Sequence, residues 1–91
     1  MKTIRVVVSG KVQGVGYRHF IEDAARRLAL DGWVRNRLDG TVELLALGEA
    51  MVLEELIAAC RQGPAAGRVD QVDITEESEV PIAGFHRRPT F

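Results

Sequence analysis

From Thr3 to Ser9 the chain alternates, with Ile4, Val6 and Val8 on one side of an extended backbone and Arg5, Val7 and Ser9 on the other. The β-branched bias of this run predicts a strand, ended by Gly10. Between Phe20 and Leu30 the period lengthens: Ile21, Ala24, Ala25 and Leu28 recur at i, i+3, i+4 and i+7, while Glu22–Arg26 and Asp23–Arg27 form i,i+4 pairs on the other side. That spacing predicts an amphipathic helix, stopped by Asp31 and Gly32. The run GWVRNRLDGTVELLALG then holds two β-rich stretches around Leu38, Asp39 and Gly40. Asp-Gly between such stretches signals a hairpin, with strands near 33–37 and 41–47. A second helix is predicted over Ala50–Gln62, where Leu53, Leu56, Ile57 and Cys60 repeat the helical stripe and Gly63-Pro64 ends it. A fourth strand near Val69–Thr75 follows. EESEVPIAG is polar, broken by Pro81, and reads as a connection; FHRRP reads as a short edge strand, since Pro89 is tolerable only at an edge or an end.

The predicted order is βαββαβ with a possible fifth strand. This is the ferredoxin-like α+β arrangement, in which two helices cover one face of a mostly antiparallel four- or five-stranded sheet. A chain of 91 residues supports one domain, 1–91, with a small core. The fold hosts many unrelated activities, so function must be argued from a site.

Composition removes several classes. With 46% hydrophobic and 27% charged residues the chain is not a disordered segment. The single cysteine, Cys60, excludes an internal disulfide and cannot by itself build an all-cysteine metal site, which points to a reducing compartment. The N-terminal apolar run is too short for a secretion signal, and no stretch reaches the roughly 20 apolar residues of a membrane span. These features place the expected protein in the cytoplasm, away from membranes, as a monomer. The net charge of −1 conceals an asymmetry: residues 1–37 carry eight Lys/Arg against three Asp/Glu, and residues 38–91 carry four against ten.

Within the positive part lies GKVQGVGYR, Gly10 to Arg18, which has three glycines and no acid. A phosphate loop of the Walker type needs Gly-Lys-Ser/Thr five residues after its first glycine, and Val15 stands there instead. A dinucleotide fingerprint needs a third glycine where His19 stands. Neither nucleotide motif fits. A glycine-rich turn between strand and helix can still aim backbone N–H groups and a helix N-terminus at an anion, and Arg18 could add a planar two-pronged donor. On pattern alone, anion binding and a plain tight connection both remain open.

GKVQGVGYR resembles the signature of the acylphosphatase family, Gly-x-Val-Gln-Gly-Val-x-Phe/Tyr-Arg. GWVRNRLDGTVE resembles the same family's second signature, built on Gly-Trp-Val-Arg/Lys-Asn and a following Gly-x-Val, and GPAAGRV resembles the segment after the family's second helix. The likeness covers the chain to about residue 74. The closing FHRRPTF departs from it, with His86 where an apolar residue is usual. The resemblance implies a ferredoxin-like fold and an enzyme that hydrolyses acyl phosphates to a carboxylate and inorganic phosphate, with no metal and no cofactor. It puts the catalytic arginine at Arg18 and the catalytic asparagine at Asn36. It assigns the phosphate cradle to the turn Gln13, Gly14, Val15, Gly16, Tyr17 and Arg18.

That chemistry is consistent without a protein base. A carboxylate whose acid has a pKa of about 4 departs without a proton. What remains is to hold the phosphoryl charge and to align a water. Arg18 and loop amides suit the first task, and the amide of Asn36, accepting from and donating to water, suits the second. Strand alternation puts Asn36 on the same side as Val34, so it reaches the rim near the first helix if Val34 faces the helices. His19 could assist phosphate binding or be structural. Cys60 is read as core, Trp33 as packing against the sheet edge or the helix layer, and Arg35 and Arg37 as pointing to the opposite, solvated side. Three rivals stand beside this reading. An RNA-recognition sheet would need aromatics on its central strands, and IRVVVS and TVELLAL have none. A regulatory domain could bind an anion without turning it over. A carbamoyl-phosphate-processing domain inside a larger hydrogenase-maturation protein would be poorly matched by 91 residues.

Overall fold

The alternating first segment becomes one of the inner strands of a five-stranded sheet. A computed structural model describes residues Met1–Phe91. It runs β1 (Lys2–Lys11), α1 (Tyr17–Arg27), β2 (Asp31–Asn36), β3 (Val42–Gly48), α2 (Ala50–Gln62), β4 (Arg68–Glu77) and β5 (Phe85–Arg87). The strands are ordered β4-β1-β3-β2-β5, with every neighbouring pair antiparallel except β2–β5, which is parallel. This is the ferredoxin-like α+β fold with its fifth strand present. No helix is long and apolar enough to cross a membrane.

The register explains which side chains meet. Val6 pairs with Leu44, which pairs with Val34, and this row lies under the helices. With Ile4, Val8 and Ala46 it meets Ile21, Ala24 and Ala25 of α1 and Leu53, Leu56 and Cys60 of α2 in one buried cluster. Burial pushes the Cys60 thiol up to about 12, so it stays protonated and unreactive within the core.

α1 begins three residues earlier than its apolar stripe suggests. Tyr17 belongs to the same stripe, four positions before Ile21, and is 1% exposed. Its hydroxyl donates to the carbonyl of Cys60 at 2.7 Å, tying the start of α1 to the end of α2. The helix also ends earlier, and neither Asp31 nor Gly32 stops it; both lie in β2. Ala29 adopts a left-handed conformation, φ 55°. Its N–H donates to Arg26 O at 3.1 Å, and the N–H of Leu30 donates to Ala25 O at 3.0 Å. This is the paired closure that usually carries glycine at the left-handed position, and buried Leu30 supplies its apolar contact.

The second face of the sheet is not simply solvated. Arg35 points away from the helices as alternation requires, but its side chain is only 17% exposed. Its guanidinium lies 4.6 Å from the centre of the Trp33 ring and 4.0 Å from that of Phe91, with Arg88 at 4.7 Å from Trp33. Trp33 therefore packs on neither the helix layer nor a bare edge; it is the apolar centre of this second face, covered by cations that stack on it. Glu43, buried beside it, accepts from Arg35 at 2.7 Å and pairs with Arg5. Arg37 remains half-exposed near Asp39.

Two outcomes follow from these features. Replacing Ala29 by Gly removes the cost of a Cβ in the left-handed region, so Ala29→Gly should raise stability by about 0.5–1 kcal/mol. Thermal melts read by circular dichroism would show it as a Tm a few degrees higher, and an unchanged or lower Tm would contradict it. Burial alone would raise the Glu43 carboxyl, but hydrogen bonds from Arg35 and Arg5 outweigh it and hold the group below its ordinary value. A depressed folded-state pKa contributes stability above the unfolded value of about 4.3 and loses it as pH falls through the folded value. The stability lost between neutral and strongly acidic pH, measured by urea titration, should therefore be smaller in Glu43→Gln than in the parent. Equal losses would remove Glu43 from the account.

Candidate functional site

β1 ends one residue past Gly10, after an irregularity in its pairing at Ser9/Gly10, and the chain then turns through residues 12–16 into α1. Gly14 and Gly16 make the turn possible. Both are left-handed, at φ 73° and 82°, with Val15 between them at negative φ, and a Cβ on either would meet open space. A tight turn with left-handed residues can turn successive N–H groups toward one concavity. No backbone N–H from Gln13 to His19 donates to a protein acceptor. Gly16 caps α1 without a side chain, and the first turn carries no acid. The helix start thus offers free donors and the positive end of the helix dipole.

These donors border a cavity of about 170 Å³. Gly14, Gly16, Tyr17 and Arg18 line it from the loop and helix start, Asn36 from the end of β2, and His19 and Arg87 complete its polar wall. No carboxylate lines it. Arg18 enters none of the protein's ion pairs. The Asn36 side-chain oxygen is buried without a hydrogen-bond partner. No group of three or more His, Cys, Asp or Glu side chains is placed to hold a metal ion.

Two residues of the glycine-rich signature look elsewhere. Val15 packs against the hydrophobic cluster. Gln13 donates through one amide nitrogen to Arg37 O and to Thr41 O, both at 2.8 Å. Its side chain bridges to the hairpin that follows Asn36, so the first signature holds the second in place. The tail braces the same strand from the other side, where Arg88 N–H donates to Val34 O at 2.9 Å and Phe91 N–H to Asn36 O at 3.0 Å. This settles the pairing of FHRRP as a short parallel edge strand with its tail running on beside β2.

Arg87 is the lining residue that motif reading missed. Its Nε donates to Glu22 Oε1 at 2.7 Å and its Nη2 reaches the same oxygen. The Glu22–Arg26 pair expected on the solvent side is present at 3.3 Å, yet the Glu22 side chain is only 8% exposed. The charged face of α1 at this point is covered by β5. No periodicity marks a three-residue strand, and the only available signal was the Arg87-Arg88 pair ahead of Pro89.

Fold and pocket together define a ferredoxin-like α+β domain whose helix start and strand ends enclose a cationic, carboxylate-free cavity. The family model for acylphosphatase matches residues 4–87. The chain is 47% identical over 90 residues to an acylphosphatase of Rhodospirillum rubrum, covering 99% of each chain, and 50% identical over 86 residues to one of Rhizorhabdus wittichii, covering 94% of this chain and 87% of the relative. The crystal structure of acylphosphatase from Bacillus subtilis superposes with a TM-score of 0.91 at 36% identity, covering 97% of this chain and 99% of that one. The chain belongs to the acylphosphatase family.

The bridge from Gln13 can be tested by its removal. Gln13→Ala removes the side-chain donor shared by the Arg37 and Thr41 carbonyls, which keep Gly40 N–H and Arg37 N–H respectively, and the expected cost is about 0.5–1.5 kcal/mol of stability. Because the same bond fixes the hairpin after Asn36, turnover of a simple acyl phosphate should also fall at temperatures where the variant is fully folded. Full turnover at unchanged Tm would show the bridge to be idle.

Proposed function

We propose that this chain is a hydrolase that cleaves the carboxyl–phosphate bond of acyl phosphates by attack of water at phosphorus. The observation that carries the reading is the convergence, in one small cavity, of an unpaired guanidinium, unpaired loop amides and the unpaired Asn36 oxygen. Arg18 and the amides of the loop from Gln13 to Arg18 bind the phosphoryl oxygens. As the transition state spreads charge over those oxygens, donors fixed beforehand by Gly14 and Gly16 need no reorganisation.

Asn36 acts on the other reactant. Its side-chain oxygen accepts a hydrogen bond from the water and holds it near phosphorus, while its NH₂ remains a donor. The water oxygen forms a bond to phosphorus as the bond from phosphorus to the acyl oxygen breaks. The acyl oxygen leaves as a carboxylate with the bonding pair, and the water's proton passes to a phosphate oxygen. Leaving-group acidity makes a protein acid unnecessary, since a carboxylic acid of pKa about 4 is ionised at neutral pH. In this reading one copy of the chain carries all the parts and acts as a monomer.

Arg18→Ala and Asn36→Ala are each expected to lower kcat/KM for an aromatic acyl phosphate by about 10²–10³. Circular dichroism and Tm should stay close to the parent. Arg18→Ala should also weaken competitive inhibition by inorganic phosphate, whereas Asn36→Ala should leave it nearly unchanged, because only the first is proposed to hold the phosphoryl group. Retention of activity in both variants would overturn the assignment of the site.

A further inference from the structure

Arg18 and Glu22 stand one turn apart on α1, at the i,i+4 spacing at which a guanidinium and a carboxylate usually meet. Pairing would neutralise the cation proposed to hold the phosphoryl group. It does not occur. Glu22 is turned to Arg87, whose Nε and Nη2 both reach Oε1, and to Arg26 at 3.3 Å through its other oxygen. Both carboxylate oxygens are occupied, and the side chain is 8% exposed, so little room remains for a third partner.

The arrangement is fixed from several sides. Arg26 also donates to Phe85 O at 3.0 Å, which holds β5 against α1, and β5 is hydrogen-bonded along β2 with Arg87 opposite Val34. Two guanidiniums share one carboxylate, so the cluster leaves a net positive charge beside the cavity rather than a negative one. Arginine suits this task because two adjacent N–H groups can grip one carboxylate, which an ammonium cannot reproduce. Asp23, the next acid on α1, is turned outward to Arg27 at 3.6 Å, so Glu22 is the carboxylate best placed to quench Arg18.

We propose that Arg87 is a positioning residue that keeps Glu22 away from Arg18, leaving Arg18 free for the phosphoryl group. The proposal rests on the reading of Arg18 given above. It predicts an effect that travels through Glu22 and is therefore absent when Glu22 carries no charge.

The experiment is a double-mutant cycle read as KM for an acyl phosphate and as the inhibition constant of inorganic phosphate. Arg87→Met should raise both by about tenfold, with a smaller change in kcat. The same substitution made in the E22Q chain should change them less than about twofold. Arg87→Lys should fall between parent and Arg87→Met. Tm is measured for each variant, so that a loss of fold is read separately. An Arg87→Met effect of equal size with and without Glu22→Gln would mean that Arg87 meets the substrate directly, and parental constants in Arg87→Met would mean that it does neither; both overturn the proposal. Arg18→Ala is run alongside: if phosphate inhibition survives it unchanged, the reading of Arg18 has failed, whatever Arg87 does.

Discussion

One side-chain amide joins the two halves of the site. Gln13 leaves the loop after β1 and donates to the carbonyls of Arg37 and Thr41, at the two ends of the β2–β3 turn. Arg18 is set by the helix that follows this loop, and Asn36 by the strand that leads into this turn. Their relative position therefore depends on a contact between segments more than twenty residues apart. The sheet supplies the stiffness behind it: Asn36 pairs with Val42 on β3, and its carbonyl receives Phe91 N–H from the tail. Apolar packing aligns the helices, but hydrogen bonds place the reacting groups.

Charge is distributed to the same end. The protein contains more acids than bases, yet the cavity meets none of the acids. Glu22 is committed to Arg26 and Arg87, and Glu43 lies on the opposite face of the sheet between Arg5 and Arg35. The two buried carboxylates, Glu22 and Glu43, are thus each closed by two guanidiniums, which keeps them from competing with an anionic ligand. On the second face Arg35, with Arg88, also covers Trp33, so a sheet with helices on only one side still buries its second apolar layer.

Sequence reading reached the site through the resemblance of its two signatures, and local rules said why the residues could meet. Alternation placed Asn36 on the side of Val34, and Val34 is buried against the helices, so Asn36 reaches the cavity as expected. Gly14, Gly16 and Arg18 were legible because their chemistry is local: left-handed backbone, free amides, a cation at a helix start. The errors arose where distant partners decide. Tyr17 joins α1 because its hydroxyl finds Cys60 O across the core. Ala29 ends the helix although a glycine would be the expected signal, because Leu30 must enter the core. Arg35 looked solvated because alternation gives a side chain's direction but not what stacks on it. Arg87 was invisible because it gains its place only when β5 lies beside β2 and Glu22 is already buried.

The central claim is that water held by Asn36 attacks phosphorus while Arg18 and the loop hold the phosphoryl oxygens. Hydrolysis in oxygen-18-labelled water, with the products separated and weighed by mass spectrometry, tests it most directly. Attack at phosphorus predicts one labelled oxygen in the inorganic phosphate and none in the carboxylate. Label in the carboxylate would mean attack at the acyl carbon, and the roles given to Arg18, Asn36 and the loop between them would be wrong.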